Sequence, residues 1–166
     1  MKRFIALYIL YLAIAFLVVD YEPMRRFLHL EDIYNSFVTK ISALFIEFIN
    51  IPVTSSANTL HLPHANMIIK FGCNGLEAIL IYLAGVLAYP ASWRARLLWG
   101  FVGVLFLELI NFARIALLAW VIEHYPKHFN LMHDYITQSV MIALAFLLFL
   151  LYIQKVGDAK GYPQTF

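Results

Sequence analysis

Long apolar runs separated by short polar stretches organise this chain from end to end. Phe4 to Val19 is unbroken and follows Lys2-Arg3. Leu97 to Ile122 is broken only by Glu108, Asn111 and Arg114, and Ile136 to Ile153 is closed by Gln154-Lys155. A further run, from Leu76 to about Trp93, stays apolar until Pro90. A helix needs about 20 residues to cross a ~30 Å hydrocarbon core, so this run reaches across only with its flanks. The first run also has the outline of a signal peptide. Its nearest cleavage-like triplet, Ala13-Ile14-Ala15, lies inside the apolar stretch, which favours an uncleaved anchor.

Residues 36–51 carry a different pattern. Phe37, Ile41, Leu44, Phe45 and Phe48 recur at helical spacing, and Ser36, Lys40, Ala43, Glu47 and Asn50 fall opposite. That predicts an amphipathic helix lying in the membrane interface. The alternation from Thr54 to Lys70, interrupted by Pro63-His64, predicts two short strands around a turn. The expected fold is an all-α integral membrane protein forming a single domain over residues 1–166. It has about four transmembrane helices (4–19, 76–93, 97–122, 136–153), the interfacial helix and a short outward-facing β-like segment.

Composition sharpens this picture. The chain is 63% hydrophobic and 13% charged, with mean hydropathy +0.77, against about half and a quarter in soluble domains. Lipid is therefore the expected solvent. A net charge of +2, scattered along the chain, gives no support for a nucleic-acid partner. With four spans, Lys2, Arg3, Arg94, Arg96, Lys155 and Lys160 share one side, cytoplasmic by the positive-inside tendency. The acidic stretch with Asp20, Glu22, Glu31 and Asp32, and the 123–134 loop, then face outward.

Measured from those basic anchors at ~1.5 Å per residue, Cys73, Arg114 and His133 all lie about 27–33 Å away, at one level near the outer boundary. Cys73 is the only cysteine, so an intramolecular disulfide is excluded. It sits in Phe71-Gly72-Cys73-Asn74-Gly75-Leu76-Glu77, where Asn74 and Glu77 have the spacing of a helix N-cap and its acidic partner. A thiol at a helix N-terminus faces a positive dipole end that favours thiolate. Gly72 and Gly75 would let a substrate backbone approach. The plainer reading is a glycine-bordered turn with an inert thiol.

Arg114 lies inside an apolar helix, one turn from Asn111 and two from Glu108. An arginine at that depth costs at least ~2.5 kcal/mol, so it is expected to be functional or paired, with Glu108 as the structural partner. His133 titrates near neutrality and can move protons to and from a thiol or an amine. His124 and His128 read as solvated loop histidines.

Cys73-Asn74-Gly75-Leu76, Asn111-Phe112-Ala113-Arg114-Ile115 and the histidine of Asn130-Leu131-Met132-His133-Asp134 resemble the three signatures of exosortases and archaeosortases, over about residues 55–150. The short chain is similar to the compact branch called exosortase H and lacks the extra spans of larger members. The resemblance implies a bacterial inner-membrane, multi-pass cysteine transpeptidase or protease whose active site faces the periplasm. Its partners would be the bilayer, proteins with a C-terminal sorting signal (motif, transmembrane helix, basic tail) and an acceptor nucleophile such as a glycan or lipid-linked species. It implies Cys73 as nucleophile, Arg114 as transition-state stabiliser and His133 as general acid/base, with Asn111 orienting Arg114 and Asn74 and Gly75 in support. No cofactor or metal is implied.

Two rival classes remain. His61-x2-His64 and His124-x3-His128 suggest metal ligation or transport, although Pro63 and Pro126 disturb both spacings. A structural membrane subunit would use Glu108, Asn111 and Arg114 as interhelical glue.

Overall fold

The computed structural model describes residues 2–20 and 30–159. Glu22 and Lys160, which entered the charge reading, lie outside the described residues, as do the side chains of Asp20 and Glu31. The helices are α1 (Lys2–Asp20), α2 (Leu30–Phe48), α3 (Leu76–Ala88), α4 (Trp93–His124) and α5 (Gln138–Ala159). Between α2 and α3 the strands β1 (Thr54–Ser56), β2 (Thr59–His61) and β3 (Asn66–Ile68) form an antiparallel meander. Thr54 pairs with His61, and His61 with Asn66. The alternation had predicted two strands; Asn66–Ile68 adds a third.

Among the described residues, three helical stretches are long and apolar enough to cross a membrane: Lys2–Val19, Trp93–His124 and Leu131–Gly157. The run expected to span 76–93 departs from the pattern, because α3 stops at Ala88 ahead of Pro90. Thirteen residues give roughly 20 Å, less than the hydrocarbon core. The amphipathic helix begins at Leu30, not Ser36. Its first turns carry Tyr34 and Asn35, and Asn35 is buried among polar partners. A periodicity search weighted on apolar residues does not register such a turn.

Two cores share α4. At one end α3, α4 and α5 bury Ile79, Tyr82, Leu107, Met141 and Tyr152, with Phe4 of α1 stacked on Phe149. At the other end α2, the sheet and the second half of α4 bury Val38, Ile46, Leu60, Met67, Ile115 and Leu118. Cys73 belongs to this second core. Leu17, Phe101, Leu109 and Phe146 remain more than half exposed, as expected of helices whose outer faces meet lipid. Phe4 lies against Tyr89 and Phe16 against Phe71, so α1 and α3 run antiparallel. Lys2, Arg94 and Lys155 therefore stand at the end opposite Cys73.

Candidate active site

The loop before α3 is set by its backbone. Gly72 and Gly75 both have positive φ, 87° and 80°, in the left-handed region that glycine tolerates. Cys73 and Asn74 hang between them, their N–H groups donating to the Lys70 carbonyl at 2.9 and 3.1 Å. The Cys73 side chain is buried, 3% exposed. Helix α3 starts one residue later than the capping pattern predicted. Gly75 occupies the N-cap position, and Asn74 Oδ1 accepts from the Leu76 N–H at 3.1 Å. Glu77 does not turn back to close a capping box; its carboxylate accepts from Gln138 Nε2 at 2.7 Å.

Arg114 and His133 converge on this loop from α4 and from the turn leading into α5. The Arg114 guanidinium, 5% exposed, donates through Nη1 to the Cys73 carbonyl at 3.4 Å and through Nε to Thr137 Oγ1 at 2.8 Å. Its Nη2 has no hydrogen-bond partner among the described residues. The Glu108–Arg114 ion pair considered from the sequence does not form; Glu108 Oε1 accepts from the Tyr34 hydroxyl instead.

His133 belongs to a π-helical stretch, Leu131–Thr137, ahead of α5. Such widened turns re-aim side chains relative to a regular helix and recur at functional sites. The imidazole stacks on Phe129, and its Nδ1 lies 2.6 Å from Asp134 Oδ1. Gly72, Cys73, Glu77, His133, Asp134 and Gln138 line one pocket of about 250 Å³. Across Arg114 and Thr137, an apolar groove of about 400 Å³ runs between α4 and α5, past Ile110, Leu117 and Val140.

The two supporting residues on either side of this loop act differently from the expectation. Asn111 is fully buried and donates from Nδ2 to the Asn74 carbonyl at 2.8 Å. It therefore holds the Cys73 loop and makes no hydrogen bond to Arg114. Gly75 leaves room for Asn111, not for a substrate backbone: a Cβ there would lie 2.6 Å from Asn111 Cγ. Asn74, 1% exposed, also donates from Nδ2 to Asn35 Oδ1 at 2.7 Å, and its carbonyl lies 3.2 Å from the Tyr34 hydroxyl. Burial, and then the neighbouring Glu108 carboxylate, hold the Tyr34 pKa above the usual phenol range, so this hydroxyl remains a donor.

Sequence reasoning missed Tyr34, Asn35, Thr137, Gln138 and the role of Asp134. Asp134 had a signal, its adjacency to His133, and Thr137 and Gln138 follow it closely in the same stretch; Tyr34 and Asn35 contact the site from a helix distant in sequence. His61, His64 and His124 are drawn to separate partners. His61 Nδ1 meets Asn66 Oδ1 at 2.8 Å, His64 Nδ1 meets Glu123 Oε2 at 2.6 Å, and His124 Nδ1 meets the Trp120 carbonyl at 2.9 Å. Among the described residues, no group of three or more His, Cys, Asp or Glu side chains converges as a metal site.

A buried thiol, a guanidinium on its own backbone carbonyl and a histidine backed by a carboxylate are a set suited to nucleophilic acyl chemistry. Neither the curated proteins nor the solved structures supply a match to the chain. The family model described as transmembrane exosortase matches residues 3–151, a stretch that takes in the whole pocket and every partner of Asn74. With helices built for a bilayer and a match of that extent, the chain belongs to the transmembrane exosortase family.

Proposed function

We propose that this family member, a membrane sorting enzyme of the transpeptidase type, works as a single domain over residues 1–166 by cysteine catalysis. Its substrates are exported proteins ending in a short motif, a transmembrane helix and a basic tail. The observation that carries the reading is the shared pocket of Cys73 and His133, with Arg114 anchored beside it. The Cys73 thiolate attacks the scissile carbonyl; a C–S bond forms, and the oxyanion draws on Arg114. His133 delivers its proton to the leaving amine as the C–N bond breaks, leaving a thioester. The acceptor nucleophile then gives its proton to His133, bonds to the acyl carbon and releases the thiolate.

Asp134 at His133 Nδ1 favours the ring orientation that turns the other nitrogen toward the thiol. The unpartnered Nη2 of Arg114 leaves donor capacity for an oxyanion. The apolar groove reaching Arg114 suits a substrate delivered from within the bilayer. Basic residues at the end opposite Cys73 favour the inner membrane, with the pocket toward the periplasm.

The test is coexpression with a substrate carrying such a C-terminal signal, with processing followed by gel shift and membrane abundance checked. Cys73→Ala, Arg114→Ala and His133→Ala are expected to abolish processing at native abundance. Undiminished processing by Cys73→Ala would remove the nucleophile and with it the mechanism.

A further inference from the structure

The loop that carries Cys73 is held from a side that the chemistry does not use. Asn74 makes five hydrogen bonds. Its N–H goes to Lys70, its Oδ1 accepts from Leu76, and its carbonyl accepts from Asn111. The remaining two involve consecutive residues of α2: the Tyr34 hydroxyl donates to the Asn74 carbonyl, and the Asn74 side-chain amide donates to Asn35 Oδ1. Tyr34 also ties to Glu108 on α4, so α2, the loop and α4 close a buried ring of polar groups. Val38 and Ile46 continue the contact of α2 with the core, and Lys40 and Glu47 are exposed on its other side.

We infer that Tyr34 and Asn35 are positioning residues, through which α2 fixes Asn74 and so holds the Cys73 thiol in register with Arg114 and His133. The inference rests on the reading of Cys73 as nucleophile. Its physical basis is that Cys73 and Asn74 lie between two glycines in the left-handed region, a hinge-like stretch that side-chain tethers must immobilise. A loop released from α2 keeps its covalent place and loses its fixed orientation. The thiol, 3% exposed in the intact protein, then becomes reachable.

The single cysteine makes this measurable without substrate. The rate of Cys73 alkylation by N-ethylmaleimide is followed by mass spectrometry in the full-length protein in native membranes, for Tyr34→Phe and Asn35→Leu. Tyr82→Phe serves as control, because it removes a comparable hydroxyl bond (to the Trp99 carbonyl, 2.8 Å) in the other core. Loss of a buried tether of this kind corresponds to roughly tenfold faster alkylation for Asn35→Leu, with a smaller rise for Tyr34→Phe. Tyr82→Phe is expected to leave the rate as in the native protein while lowering thermal stability. Rates within about twofold of native in both α2 variants, or an equal rise in Tyr82→Phe, would overturn the positioning role. Tyr34→Phe keeps the test open should Asn35→Leu fail to accumulate. Alkylation requires no sorting substrate, so this result stands apart from the processing assay, whose failure would bear on the nucleophile alone.

Discussion

Gly75 and Asn111 show how single residues set the pocket. The glycine combines a left-handed φ of 80° with a Cβ position already filled by the Asn111 amide. Gly75→Ala is expected to cost roughly 1–2 kcal/mol for the backbone conformation and about 1–3 kcal/mol more for displacing Asn111. Thermal unfolding in detergent, with the processing assay beside it, checks this: the midpoint falls, and activity falls further than the loss of folded protein explains. An unchanged midpoint would mean that the loop has another conformation. Arg114 was legible as a candidate because a guanidinium inside an apolar helix is costly, Cys73 because it stands at a helix start between glycines, and His133 because an imidazole near the last span can move protons. Tyr34, Asn35, Thr137 and Gln138 were not, because hydroxyls and amides occur throughout helices; Tyr34 and Asn35 also meet the site from far away in sequence, while Thr137 and Gln138 are brought to it by the widened turn they share with His133. Asn111 was legible as important, but its partner was not, since helical spacing relates it to Arg114 while the fold turns it to Asn74.

At the scale of elements, the π-helical stretch decides where His133 points. Its extra residue per turn shifts Leu131–Thr137 out of register with α5, and Thr137 takes the Arg114 Nε bond while His133 lines the pocket with Cys73. No periodicity announces such a stretch; apolar positions run through it as they would through an α-helix. Deleting Tyr135, which is 68% exposed, is expected to restore α spacing and rotate His133 by about 100° relative to Thr137. Membrane abundance should stay near native, because the deleted side chain packs little, and processing should be lost. Retained processing would show that the ring reaches the thiol without the widened turn. The shortening of α3 and the early start of α2 have similar origins. Pro90 limits the first, and polar contacts made by Tyr34 and Asn35 extend the second beyond its apolar stripe.

Across the whole molecule, the short α3 explains why polar side chains gather where they do. At roughly 20 Å it leaves irregular backbone over residues 69–75 near the level of a ~30 Å core, where water cannot satisfy carbonyls. Asn111 and Arg114 supply donors to the Asn74 and Cys73 carbonyls, and Tyr34 stands beside them. The groups that would hold an active site thus also make its loop tolerable within a membrane. This arrangement places the pocket at one end of the bundle and Lys2, Arg94, Arg96 and Lys155 at the other. On the proposed orientation, in which the positive-inside tendency turns the pocket outward, the chain before α1 and after α5 lies on the cytoplasmic side. Fusions test this directly: green fluorescent protein after residue 159 should fluoresce, and alkaline phosphatase joined after His128 should be active. Alkaline phosphatase joined after Ser92, between α3 and α4, should be inactive. The reverse pattern would turn the pocket to the cytoplasm, while activity at both junctions would show that α3 with its flanks does not complete a crossing.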